Sequence, residues 1–184
     1  MAVRIRYKAM KKNSAPTHAE SFARLNELIS DIHIAMLTTV TADGTLRSRP
    51  MATQQVDLID GVLWFFSSSD SPKNDEILHQ RQVNLAYMSV DKQRYVSVSG
   101  EAHVVRDRTK TRQLWKPAAK TWFPEGVDDP NLVLLRVEVT SAEYWDSPSS
   151  KMVQFYGLAK LAFTGKPNKT RVENVQVDIT AGKS

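Results

Sequence analysis

Cysteine is absent from this 184-residue chain. That excludes a disulfide-stapled scaffold, a thiolate zinc site and a cysteine nucleophile, and it suits a reducing compartment. Glycine is sparse: seven residues, far apart, with no G-x-G-x-x-G and no G-x-x-x-x-G-K. Rossmann and P-loop sites are therefore not expected. A G-x-S-x-G nucleophile elbow is also missing. No apolar run reaches the roughly 18 residues needed to span a bilayer. The basic N-terminus has no apolar signal core behind it. These absences point to a soluble, cytoplasmic chain with no membrane partner. His18, His33, His79 and His103 are scattered and form no H-E-x-x-H pair, so no metal site is expected. Asp128 and Asp129 read as loop acids, and no residue pattern marks a general acid or base.

What is present suits one domain with a real core, since 41% of the residues are hydrophobic. The formal charge is +5, but its location matters more than its size. Arg4, Arg6, Lys8, Lys11 and Lys12 crowd the first twelve residues with no acid among them. Setting those five aside leaves 20 basic residues against 20 acidic ones. Residues 1–16 thus read as a basic, flexible arm, and nucleic acid is not the expected partner.

The hydrophobic pattern places the elements. Thr17 and Glu20 have capping-box spacing, and Phe22, Leu25, Leu28, Ile29 and Ile32 recur at helical spacing, which predicts a helix from about Thr17 to Asp31. Strands are expected over 34–40, 46–59, 62–67, 83–89, 95–106 and 131–146. Tight turns join most of them, at TADG (41–44), at Asp60-Gly61 and at VDKQ (90–93). Pro50 implies an edge or a bulge in the second strand. A helix follows Ser71 to about Gln80, residues 107–122 are helical with a break at Pro117, and a last helix is expected over 149–163. Hairpin after hairpin means antiparallel pairing, and about six strands suggest a small barrel. The polar residues 166–184 read as a tail.

One junction carries chemistry. In VLWFFSSSDSPK (62–73) a buried strand runs into hydroxyls and a lysine. Ser71 is a good N-cap, Pro72 suits the first helical position, and Asp75 and Glu76 suit the first turn. One reading is a plain capped turn. The other is a phosphate cradle. Ser67, Ser68, Ser69 and Ser71 offer hydroxyls, Lys73 offers charge, and the helix start offers free N–H groups. Arg47 and Arg49 lie two apart on the second strand and so share a face. Strand pairing would bring them to the same junction. Both readings stand on the residues alone.

The order and spacing of RSRPM (47–51), WFFSSSDSPK (64–73), VNLAYMS (83–89), YVSVSGEA (95–102), WFPEGVDDPNLVLLRV (122–137) and AEYWDSP (142–148) carry a resemblance. The chain resembles the FMN-binding split-barrel superfamily of pyridoxamine 5'-phosphate oxidase, and in particular its general stress protein branch. The resemblance spans most of residues 17–165. It implies a mainly β, six-stranded antiparallel split barrel with flanking helices. It also implies a homodimer with FMN at the subunit interface. By position, Arg49, Pro50 and Met51, with Arg47 and Ser48 beside them, would lie along the flavin. Phe66 and Ser67 would meet the ring or ribityl chain, with Ser68 beside them as a further cofactor-binding candidate, Ser71 and Lys73 would hold the phosphate, and Tyr95 would come from the partner subunit. The oxidase has S-R-K where this chain has Ser71-Pro72-Lys73, and Arg47 is the candidate to compensate. The oxidase's C-terminal tryptophan and arginine segment has no counterpart, so vitamin B6 oxidation is not expected. The resemblance implies an FMN-dependent oxidoreductase acting on a nicotinamide or small organic substrate. A non-enzymatic flavin binder or stress sensor is the alternative.

Overall fold

The computed structural model describes residues 18–57, 60–146 and 173–178. The basic arm and the helix expected over 149–163 lie outside them. In chain order the elements are α1 (His18–Ile32), β1 (Ile34–Val40), β2 (Leu46–Asp57), β3 (Val62–Ser68), α2 (Pro72–His79), β4 (Gln82–Ser89), β5 (Arg94–Val105), α3 (Arg108–Leu114), β6 (Leu132–Asp146) and β7 (Glu173–Asp178). Short 3-10 turns at Pro117–Thr121 and Gly126–Asp128 follow α3. No described helix is long and apolar enough to cross a membrane.

All strand pairs are antiparallel, in the order β3-β2-β1-β4-β5-β6, and β3 pairs with β6 to close a six-stranded barrel. The alternation that predicts strands also sorts their faces. In β1, Ala35, Leu37 and Thr39 point inward, while Ile34 and Met36 stay exposed. One core joins Leu37, Leu63, Phe65, Leu85, Val98, Leu135 and Val137 from the strands to Leu25, Leu28 and Ile29 of α1. These three helix residues have the predicted spacing, and all are fully buried. His33 ends α1 at φ 62, its N–H donating to Ile29 O at 3.1 Å, a left-handed helix cap without glycine. Gly44 sits at φ +84 in the expected turn.

The barrel is split along one seam. β2 pairs with β1 from Leu46 to Ala52, then with β3 from Thr53 to Asp57, with a register shift between Thr53 and Gln55. Pro50 therefore lies where β2 has a partner on one side only, and the expected irregularity falls three residues further on. Beyond Phe65, β3 pairs with β6 alone. Residues 46–52 of β2 and 66–68 of β3 therefore do not pair with each other; α2 packs against β1 and β5 with Ile77 buried in the core, and it reaches β2 through Glu76. α1 packs at the opposite end, where Arg24 and Asp31 reach Asp146 and Arg94.

Residues read as a polar tail include β7, which pairs with β6 through Val175↔Tyr144 and Val177↔Ala142. The ENVQVD stretch alternates like a strand, but its polar setting hides it. β6 is thus shared: its first half pairs with β3 and its second half with β7.

Candidate functional site

The seam at the end of β3 gathers several of the expected residues. Asn74, in the first turn of α2, organises the turn before it. Its Oδ1 accepts from Ser67 Oγ at 3.2 Å, and its Nδ2 donates to Ser68 O at 2.7 Å and Ser69 O at 3.1 Å. The Ser69 N–H donates to Asn131 O at 2.7 Å, which anchors the turn to the start of β6. With these carbonyls taken, and the Asn74 N–H donating to Ser71 O at 2.9 Å, the junction's remaining capacity lies mainly in donors: the other first-turn amides of α2 and Lys73.

Ser71 occupies the N-cap position, but its side chain makes no capping bond. Instead its Oγ accepts from Lys73 Nζ at 2.6 Å. Pro72 removes one amide from the first turn, and the lysine takes the hydroxyl. Lys73 is half-buried, and among the described residues no carboxylate lies within ion-pair distance of it. Burial, and then the nearby Arg49 charge, hold its ammonium below the ordinary lysine range, while Asp70 and Glu76 pull the other way.

Arg47 and Arg49 do share a face, but β2–β3 pairing is not what brings them to the junction. They sit on the stretch of β2 that pairs with β1, opposite Thr39 and Leu37. Helix α2 makes the connection through Glu76. The Glu76 carboxylate is 8% exposed and accepts from Arg49 Nη2 at 2.6 Å, from Thr39 Oγ1 at 2.5 Å and from Arg47 Nη1 at 3.3 Å. Arg49 Nη1 also donates to Thr39 Oγ1. Burial opposes ionisation of Glu76, yet the Thr39 hydroxyl and the two arginines outweigh it and hold the carboxyl below its ordinary range. Glu76 therefore does not serve the helix dipole, as its position in the sequence suggests; it faces the barrel mouth. The result is three cations, Arg47, Arg49 and Lys73, around one buried carboxylate, beside hydroxyls and a helix start, with Asp70 as a further acid near Lys73.

The other candidates are either engaged within the junction or placed apart from it. Ser67 is buried and engaged with Asn74, while Ser68 Oγ donates to Asp70. Phe66 lies on the opposite face of β3, with its ring centroid 5.8 Å from Trp115 and 6.3 Å from Phe123. Met51 belongs to the core. Ser48 and Pro50 are on the exposed face of β2, where Ser48 Oγ lies 2.7 Å from Thr38 Oγ1. Tyr95, 39% exposed, sits at the start of β5, beside Met88 and Trp145. It pairs with Met88, at the end of β4 that neighbours Ala35 of β1 and not Thr39, and so lies away from the cation cluster of its own subunit. Thr39, Asn74 and Glu76 are the residues the sequence reading misses. The signal for Glu76 was available: with Lys73 and Ile77 it makes an i, i+3, i+4 stripe on α2. Asp128, read as a loop acid, pairs with Arg108 and Arg112.

The model of the family described as "Pyridoxamine 5'-phosphate oxidase like" matches residues 20–169. The protein bli-3 of Neurospora crassa is 28% identical over 159 residues, which is 80% of this chain and 76% of that protein. A crystal structure of the general stress FMN/FAD binding protein from Xanthomonas citri is 30% identical, with a TM-score of 0.61, covering 69% of this chain and 89% of that one. A protein described as a general stress protein 26 from Jannaschia sp. CCS1 shares the fold with a TM-score of 0.72 at 21% identity, over 87% of this chain and 99% of that one.

Proposed function

Because the chain belongs to the pyridoxamine 5'-phosphate oxidase-like family, we propose that it binds FMN by its phosphate at the β3–α2 junction and acts as a flavin-dependent oxidoreductase. The carrying observation is Lys73, a half-buried ammonium with a serine hydroxyl but no paired carboxylate, beside Arg49. A phosphate monoester brings close to two negative charges and three acceptor oxygens. Lys73, the first-turn amides of α2 and the arginines are the groups that match it. The Xanthomonas citri protein, with FMN/FAD binding in its description, supports the choice of ligand.

Bound FMN would supply hydride chemistry, with a nicotinamide or a small organic molecule as the other substrate. The chain's own contribution is to anchor the phosphate and fix the ring. Glu76, the carboxylate nearest the cluster, is occupied by Thr39 and Arg49 and takes no proton-transfer role. A homodimer is part of the same reading. It rests on the exposed apolar residues of β1, β4 and β5, which lie on the face that Ser48 and Pro50 share.

The test is a fluorescence titration of the purified chain with FMN and with riboflavin, which lacks the phosphate. FMN should bind more tightly. Lys73→Ala should weaken FMN more than about tenfold, the loss of a charged hydrogen bond, and leave riboflavin unchanged. Equal affinities for the two flavins would remove the phosphate from the site. Anaerobic mixing of the FMN-loaded protein with reduced nicotinamides then separates the enzyme from a flavin binder that does not turn over.

A further inference from the structure

The two oxygens of Glu76 have different surroundings. Oε2 accepts from both Thr39 and Arg49, two donors anchored in adjacent strands at the barrel mouth. Oε1 has a longer contact of 3.3 Å to Arg47, whose side chain is 63% exposed. The first pair is fixed by its surroundings. The second joins the buried carboxylate to a mostly exposed guanidinium at the longer distance, and is the looser of the two contacts. Yet Arg47 is on the same strand face as Arg49, two residues away, so its guanidinium can turn to a ligand without any backbone movement.

We propose that Glu76 is an internal competitor for Arg47: its carboxylate holds that arginine in the free chain, and a phosphate monoester binds by drawing it away. The inference rests on the phosphate reading of the junction and names the residue that sets its affinity. A phosphate dianion carries more charge than a carboxylate and can take both N–H groups of a guanidinium fork. Exchange of Arg47 therefore favours the ligand, while Arg49 stays tied to Thr39 and Glu76. Lys73 waits on Ser71 and needs no release from an acid. The carboxylate thus opposes the ligand twice: by occupying Arg47 and by repelling the phosphate.

Glu76→Gln separates the two roles of the side chain. The glutamine carbonyl can keep the Thr39 and Arg49 bonds, whereas its amide is a donor and cannot hold Arg47. Full-length wild type, Glu76→Gln, Arg47→Ala and the double variant are titrated with FMN by fluorescence and with inorganic phosphate by thermal melting. Glu76→Gln should bind FMN at least about tenfold more tightly, a change of one charged contact, and gain more Tm from phosphate than wild type does. Arg47→Ala should weaken FMN. In that background Glu76→Gln should gain distinctly less than it does beside Arg47. A Kd for Glu76→Gln equal to or weaker than wild type, with Arg47 present, overturns the proposal.

If wild type ignores FMN while the phosphate melts follow the expected order, the flavin reading fails and the competition stands. Should Glu76→Gln not fold, arginine side-chain NMR of the wild type decides. On adding phosphate, the Arg47 Nε–Hε signal should move and that of Arg49 stay. A moving Arg49 with a fixed Arg47 overturns the proposal.

Discussion

Lys73 is held where a lysine is least comfortable: half-buried, near another cation, with only a hydroxyl to receive its proton. Its folded-state pKa lies below the unfolded value of 10.5, so the folded chain binds fewer protons than the unfolded one in the window below 10.5. Stability then rises with pH as Lys73 loses its charge, and at neutral pH the charged lysine works against the fold. A residue that costs stability and touches no acid is a mark of a ligand site. Lys73→Met should therefore raise the Tm of the flavin-free protein while weakening FMN. A thermal melt without ligand checks the first half, and a fall in Tm would show that Lys73 serves the fold. Gly100 is a different kind of special residue. It sits at the register shift between Ser99 and Gly100, and a Cβ there would come 2.4 Å from the carbonyl oxygen of Glu138, a fixed backbone atom. Gly100→Ala should cost about 1–3 kcal/mol, the usual penalty for overpacking, read as a lower urea midpoint. No wider pattern in the sequence singles out this glycine, because the atom it avoids is 38 residues away along the chain.

Helix α1 is locked to the barrel by more than its apolar stripe. Arg24 pairs with Glu27 and Asp146, Asp146 also with Arg94, and Arg94 with Asp31, which Lys92 completes. Asp146 is the shared acid, 14% exposed, and it meets two arginines from different elements. Asp146→Asn should leave both arginines short of charge and cost about 1–3 kcal/mol; a guanidinium melt at low and high salt checks it, with the larger loss expected at low salt. This network links residues far apart in the sequence, so periodicity could not reveal it. Helices and strands themselves were legible where their faces are sharply divided. The α1 stripe, the alternating β1 and β5, and the turn residues at 41–44 predict elements within one or two residues of those found. Ser71 shows where local reasoning stops: the N-cap position is right, but its hydroxyl accepts from the Lys73 ammonium and not from a helix amide. β7 was missed because a six-residue polar strand becomes recognisable only beside the free half of β6.

At the scale of the whole molecule, successive hairpins were enough to expect a closed antiparallel barrel, since each short turn commits the next strand to pair with the last. The seam was not legible. It arises because β2 changes partner at Thr53, and α2 then delivers Glu76 to Arg47 and Arg49. The outer face of β2, β1, β4 and β5 was also hidden, because its residues come together only once the strands are in register. In register, Pro50, Met36, Ala86 and Ser97 form one row across the four strands, and Met88 lies beside Tyr95. Ile34, Met36, Met88 and Tyr95 are between 39% and 61% exposed. An exposed apolar face of this kind is what the proposed homodimer would cover. A twofold copy seated on it would bury the row against itself. Met36→Glu would then place like charges in that seam, while leaving the isolated barrel intact. The wild type should sediment at twice the chain mass and Met36→Glu at once, with an unchanged circular dichroism spectrum. If the partner subunit's Tyr95 closes the flavin site, Met36→Glu should also weaken FMN, and Tyr95→Ala should do so without changing the mass. A wild-type chain that sediments as one subunit at all concentrations would remove both the seam and the role of Tyr95, leaving the phosphate junction to be judged by titration alone.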